Sequence, residues 1–222
     1  MTLNGLVLAG GRSTRMGHDK GLLEYYRQPH RFYLADLLQR HCTQVYISIN
    51  PQQTQLQSEK YAYLVDAPEY VDMGPPGALL SAHAQLPEVS WLIVSCDLPF
   101  FNEDCIRQLI DQRALDKDAT AFLNPDTQQP EPLVAIYERT FLGTLPEIFH
   151  GGEKSLRRVL SRADVNLVHL VEARCIQSAD QPDEFATAMH ALRLASGHTN
   201  DPPPDVCAHP AKTQPAHESP DS

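Results

Sequence analysis

Two short stretches of the chain combine residue types that can do chemistry. Residues 8–20 read LAGGRSTRMGHDK, with Gly10 and Gly11 directly after an apolar run and Arg12, Arg15 and Lys20 on the loop beyond. Without a Cβ, the two glycines let the backbone turn sharply and come close to a ligand, offering N–H groups to an anion or a nucleobase edge. Arg15 and Lys20 are long cations able to reach phosphate oxygens across a turn. The second stretch, WLIVSCDLP at 91–99, sets Asp97 just after an apolar run. A carboxylate there can hold a hard cation through oxygen, as magnesium on a nucleoside triphosphate requires. Each stretch also has a plainer reading, a solvated charged loop for the first and a helix N-cap ahead of Pro99 for the second. Their combination at one sheet edge favours a phosphate-plus-metal site. Two familiar phosphate loops are excluded: a P-loop needs GxxxxGK followed by Ser or Thr, whereas Gly11 and Gly17 are wrongly spaced and Gly21 follows Lys20, and no GxGxxG is present.

The elements around these stretches place them. Short β-branched runs at 6–8, 45–49, 63–65 and 91–95 alternate with helical patterns, one starting at Pro29 with Tyr33, Leu34, Leu37 and Leu38 at helical spacing, another over 78–86. Strands joined by crossover helices pair in parallel and need cover on both faces, so this βαβα order predicts an α/β fold, a three-layer, doubly wound, mostly parallel sheet. In such sheets ligands bind beyond the carboxyl ends of the strands. That rule selects the loop at 9–20, Asp66 after the third strand and Asp97 after the fourth. Helical patterns at 104–113, 155–161 and 182–194 and strand patterns at 119–123, 133–137 and 167–171 predict a second half that completes a substrate cleft.

Composition narrows the partners. The 222 residues suit one domain, expected over 1–196, followed by a Pro-rich tail at 197–222 with almost nothing apolar to pack and therefore expected to be disordered. His198, His209 and His217 are read as solvated linker residues of that tail. A formal charge of −10 repels polyanions, so neither nucleic acid nor anionic membrane is expected as a partner. No apolar run is long enough to cross a bilayer, and the N-terminus lacks a basic flank and cleavage site, so a cytoplasmic location is expected. Five cysteines with no CxxC pair are expected to be free thiols, with Cys96 a small apolar filler.

LAGGRSTRMGHDK resembles the signature LAGGxSxRMGxDK of the molybdenum cofactor guanylyltransferase family, nucleotidyltransferases with a Rossmann-like fold. The likeness spans about 4–195 and includes Asp66, GPPGALLSA at 74–82, CDLP at 96–99, EPLVAIY at 131–137 and GEKSLRRVL at 152–160. The resemblance implies GTP and molybdopterin as substrates, Mg2+ as cofactor, transfer of GMP onto the pterin phosphate with release of pyrophosphate, and apoenzymes that accept the finished molybdenum cofactor as downstream partners. By position it implies that Leu8, Ala9, Gly10 and Gly11 line the nucleotide, Lys20 contacts phosphate, Asp66 holds the nucleoside side and Asp97 ligates the metal. Arg15, Lys20 and Asp97 form the implied catalytic set. Asn50 lies near a base-contacting position of the family, with Ser48 aligning about as well. Lys154, Arg157 and Arg158 correspond to a segment facing the pterin phosphate, although Leu156, Val159 and Leu160 would also make them the wet face of an amphipathic helix.

In-line attack on the α-phosphorus gathers negative charge on phosphoryl oxygens, which a cation, Lys20 and Arg15 can stabilise without a covalent nucleophile. The chain departs from the family at Pro76, read as stiffening a helix entry, and at 178–182, where SADQP replaces an Asn-x-Asn-Thr-Pro type stretch of the product site. Ser178 and Asp180 keep oxygen acceptors there and lose amide donors. Three alternatives stay open: a cytidylyltransferase on the same cofactor, whose relatives more often carry LAAG, a sugar-phosphate nucleotidyltransferase, and a non-catalytic nucleotide or pterin carrier.

Overall fold

The computed structural model describes residues 2–10 and 20–196. Within them seven strands, β1 (Leu3–Leu8), β2 (Val45–Ile49), β3 (Ala62–Val65), β4 (Ser90–Ser95), β5 (Ala119–Leu123), β6 (Pro130–Tyr137) and β7 (Val165–His169), form one sheet in the order β3-β2-β1-β4-β6-β5-β7. Every neighbouring pair is parallel except those of β6, which runs antiparallel to both β4 and β5. The doubly wound, mostly parallel α/β sheet expected from the βαβα order is therefore the observed architecture.

Alternation along the central strands divides the apolar side chains between two layers. Val7, Leu92 and Val94 point toward α1 (His30–Leu38) and α3 (Glu103–Asp111). Leu6, Leu8, Trp91 and Ile93 point toward α2 (Pro75–Gln85) and three short helices, α4 (Arg139–Leu142), α5 (Leu145–His150) and α6 (Leu156–Leu160). A smaller cluster joins Leu23 and Tyr25 to Phe185, Ala188 and Met189 of α7 (Pro182–Ser196). Each large side chain buried there contributes about 1.5–3 kcal/mol, so a few contacts decide where the start of α7 sits.

Several boundaries differ from expectation for local reasons. Helix α2 begins at Pro75 rather than at 78, because two prolines fit a first turn whose N–H groups need no helical partner. A Cβ on Gly77 would lie 2.2 Å from the Tyr70 carbonyl oxygen, so only glycine admits this approach. Strand β6 starts at Pro130 rather than 133, continuing out of a tight turn in which the Asn124 side chain accepts from the N–H groups of Asp126 and Thr127. Strand β7 lies at Val165–His169, two residues ahead of the expected 167–171.

The expectation of five free thiols is corrected. Cys105 of α3 and Cys175, 70 residues later, form a disulfide, while Cys42 and Cys96 are in no disulfide. Sequence spacing carries no sign of this pair, since packing of the 3-10 turn Ala173–Ile176 against α3 creates it. Cys207 and the tail expected at 197–222 lie outside the described residues. Among the described residues no helix is long and apolar enough to cross a membrane.

Candidate active site at the carboxyl edge

The expected site residues gather where the parallel strands end. Beyond β1 the ladder continues by one bond on each side: the Ala9 N–H donates to the Ser48 carbonyl (3.0 Å) and the Cys96 N–H to that of Leu8 (3.2 Å). The chain then reaches Gly10, where a Cβ would stand 3.2 Å from the Asn50 nitrogen and 3.6 Å from Asp66 Oδ2. Glycine thus brings this backbone against the ends of β2 and β3.

Asn50 and Gln53 hold that backbone in place. Asn50 Nδ2 donates to the Gly10 carbonyl (3.0 Å) and Gln53 Nε2 to that of Ala9 (3.0 Å). The same two residues form a capping box on the 3-10 turn Pro51–Leu56. Asn50, expected near the base, therefore braces the glycine turn with its amide. The other residue considered there, Ser48, donates its hydroxyl to Asp66 Oδ1 (3.3 Å). Gln53 was not among the expected residues, although the Asn-x-x-Gln spacing after β2 was a legible signal for it.

Asp66 is buried at the end of β3, and burial pushes its carboxyl up to about 6, with the Ser48 hydroxyl pulling the other way. The folded state therefore holds this proton more tightly than the unfolded chain. Stability falls as pH rises from the unfolded value near 4 through 6, and above that range the ionised form costs about 2 kcal/mol once solvent screening of this partly exposed carboxyl is allowed for. Asp66→Asn is expected to melt roughly 4–8 °C above the wild-type chain at pH 7.5. The gap should shrink to roughly a third at pH 4.5, where the folded carboxyl is protonated and the unfolded one is still mostly ionised. Thermal melts at the two pH values check this; a less stable variant at pH 7.5 would show that the charge is compensated.

Asp97 sits half-buried just past β4, and it is not a helix cap. Helix α3 starts at Glu103, and its cap is Asn102, whose Oδ1 accepts from the N–H groups of Asp104 (3.0 Å) and Cys105 (3.2 Å). Two remote segments clamp the turn carrying Asp97 through three bonds. Ala179 N–H donates to the Asp97 carbonyl (2.8 Å), His30 Nε2 to that of Leu98 (3.0 Å) and the Tyr26 hydroxyl to that of Pro99 (2.7 Å). Burial pulls His30 down to about 4, so near neutral pH the ring is uncharged and its Nε2 donor role is compatible with that state.

The first of these clamps brings the altered 178–182 segment onto Asp97. Ser178 Oγ lies 3.4 Å from Asp180 Oδ2, and Glu184 accepts from the N–H groups of Asp180 (2.6 Å) and Gln181 (2.9 Å) at the start of α7. The phenol of Tyr25 is raised well above its ordinary value by burial first, then by the charges of Cys96, Asp97 and Asp180. The Ala179 bond and the packing of Tyr25 on Phe185 thus bring the segments carrying Asp97 and Asp180 together. Among the described residues no three His, Cys, Asp or Glu side chains cluster as a metal cage. Magnesium is bound through one or two carboxylates plus substrate phosphates, a type of donor that Asp97 and Asp180 both carry.

The expected acceptor-side cations separate. Arg157 reaches Glu131 Oε2 (3.4 Å), which also accepts from Asn124 Nδ2 (3.2 Å) at the carboxyl edge. Arg158 instead forks onto Glu153 at 2.6–3.2 Å, on the exposed side of α6, and Lys154 is exposed. A cavity of about 250 Å³ opens beside Asn124, bordered by Arg174 and Gln177. Gly11, Arg12 and Arg15 lie outside the described residues; Lys20 opens the 3-10 turn Lys20–Leu22 with its backbone, and its side chain lies outside them too.

A doubly wound α/β sheet with a braced glycine turn, and with Asp66 and Asp97 just past its third and fourth strands, is the kind of fold found among nucleotidyltransferases. Comparison with known proteins places the chain more narrowly. It belongs to the MobA-like NTP transferase domain family, whose model matches residues 5–167. It is 37% identical over 184 residues, 82% of its length, to a molybdenum cofactor biosynthesis bifunctional protein of Synechocystis, of which it spans only 52%. It is 30% identical over 148 residues to a probable molybdenum cofactor guanylyltransferase of Halalkalibacterium halodurans, covering 65% of this chain and 74% of that one. The structure superposes, with a TM-score of 0.72 and 18% identity, on the molybdopterin-guanine dinucleotide biosynthesis protein A of Archaeoglobus fulgidus, over 86% of this chain and 99% of that one. At that identity the superposition shows the fold alone.

Proposed function

We propose that the chain transfers GMP from GTP to the phosphate of molybdopterin, releasing pyrophosphate, with a catalytic unit contained in residues 1–196. The observation that carries this reading is the convergence of Gly10, Ser48 and Asp66 at one end of the edge with Asp97 and Asp180 at its centre. The names of the relatives support guanine and the molybdenum cofactor as the two substrates.

In this reading the glycine turn and Asp66 seat the nucleoside, while Arg15 and Lys20 meet the triphosphate. Asp97, with Asp180 beside it, would hold Mg2+. The ion would supply charge neutralisation on the α-phosphoryl oxygens and on the departing pyrophosphate. Arg157 and Ser178 lie toward the acceptor, as does the cavity beside Asn124. The attacking group is the acceptor's phosphate, already ionised at neutral pH, so no side chain need remove a proton.

A carrier without turnover remains the second reading, because Ser178 and Asp180 lack the amide donors of the family's product site. The bond from Ala179 to Asp97 speaks for catalysis, since the altered segment still frames the carboxylate. Pyrophosphate release with Mg2+, molybdopterin and each of GTP, CTP, ATP and UTP decides among the readings. GTP is expected to lead in kcat/KM by roughly 100-fold. A lead for CTP would make the chain a cytidylyltransferase, and tight GTP binding with no pyrophosphate would make it a carrier.

A further inference from the structure

Among the described residues the buried hydroxyl of Tyr25 has no partner. The residue is only 7% exposed, and among the described residues its phenolic oxygen meets no hydrogen-bonding group. Burying a hydroxyl in that state costs about 1–3 kcal/mol, which a phenylalanine of the same shape would avoid. The ring contacts do not explain the hydroxyl: Tyr25 packs edge-on against His30 at 4.9 Å and tilted against Phe185 at 5.0 Å, and Phe would make both.

What surrounds the oxygen does explain it. The flanking residues Tyr26 and His30 are bonded to the carbonyls of Pro99 and Leu98, so this segment is fixed against the turn that carries Asp97. Phe185 and the Ala179 bond fix the segment carrying Asp180 on the other side. Tyr25 therefore stands between the two carboxylate-bearing segments. A phenol is protonated near neutral pH, so it is a donor, and among the described residues no group takes its hydrogen bond.

We propose that the Tyr25 hydroxyl donates to a phosphoryl oxygen of the substrate seated between Asp97 and Asp180, making Tyr25 a substrate-contacting residue of the reaction. This rests on the nucleotidyl-transfer reading above. Neither side-chain spacing nor the family signature marks the residue; only the packing of α7 against residues 23–26 brings it to the carboxylates.

Tyr25→Phe separates a functional hydroxyl from a structural one. The variant is expected to melt at or above the wild-type temperature, because an unpaired buried hydroxyl is removed. Its kcat for pyrophosphate release from GTP should fall roughly 10- to 100-fold, the worth of one hydrogen bond to a charged oxygen. Turnover within two-fold of wild type would overturn the proposal, and so would a lower melting temperature accompanying the loss, which would show that the hydroxyl holds the fold. If the wild-type chain releases no pyrophosphate, the functional reading fails by itself, and calorimetric binding of GTP and of inorganic pyrophosphate in Mg2+ then decides for Tyr25. Roughly ten-fold weaker binding of either by the variant supports the contact; binding of both within two-fold of wild type, or no binding of either by the wild-type chain, ends it.

Discussion

Asp97→Ala is expected to lower pyrophosphate release by roughly 10³-fold or more, with little change in melting temperature. The large effect follows from position: Asp97 is the carboxylate at the centre of the edge, with the nucleoside-side residues Gly10 and Asp66 beyond β1 and Asp180 across from it. In the proposed chemistry its charge fixes the cation on which phosphate binding and leaving-group departure depend. The small structural effect follows from the backbone clamps, because Ala179, His30 and Tyr26 bond to carbonyls of the turn and not to the Asp97 side chain. Asp97→Asn keeps the side-chain volume and one oxygen but loses the charge, so it should retain a small fraction of activity that rises with Mg2+ concentration. Steady-state rates across a metal titration, alongside melting curves, check both variants. Full activity in Asp97→Ala would remove this residue from the metal role.

The second large effect is on stability and arises at the opposite edge of the sheet. Glu138 is 1% exposed and takes a forked pair of bonds from Arg113, Nε at 2.6 Å and a terminal nitrogen at 2.8 Å, plus the Ser90 hydroxyl at 2.7 Å. Arg113→Met takes the guanidinium away from this carboxylate and leaves a buried charge uncompensated, which costs about 3–5 kcal/mol. For a chain of this size that is a fall in melting temperature of roughly 6–20 °C. Replacing both partners, Arg113→Met with Glu138→Leu, should recover most of the loss, because the apolar pair leaves no buried charge and only the Ser90 hydroxyl loses its acceptor. GTP affinity should stay within two-fold in both variants, since Ser90 and Tyr137 lie at the amino end of β4, away from the site. A single Arg113→Met variant as stable as wild type would mean the carboxylate finds other compensation.

How much of this was legible depends on how local the cause is. The four opening strands were readable because two-sided burial writes unbroken apolar runs such as WLIVS, and the helices between them because Leu34, Leu37 and Leu38 repeat at helical spacing. Helices α4 and α5 escaped notice, since four and six residues are too few for a 3.6-residue period to repeat. The start of β6 was hidden by Pro130 and Pro132, residues that argue against a strand unless the neighbouring ladder supplies its position. Within the site, Gly10, Asp66 and Asp97 were legible because the end of a parallel strand is itself a sequence feature. Gln53 left a weaker trace in its spacing from Asn50, and Tyr25 left none.

By itself, then, the sequence determined the α/β order, the carboxyl edge as the place for a ligand, and the residue types that edge offers, all properties set by neighbours within a few positions along the chain. Only the tertiary structure decided that Ala179 bonds to the Asp97 carbonyl, that Arg157 turns toward Glu131 while Arg158 turns away to Glu153, that Cys105 meets Cys175, and that Tyr25 is buried between the segments carrying Asp97 and Asp180. Most of those relations join segments tens of residues apart, and all are fixed by packing against α3, α6, α7 or the sheet, which no spacing along the chain encodes.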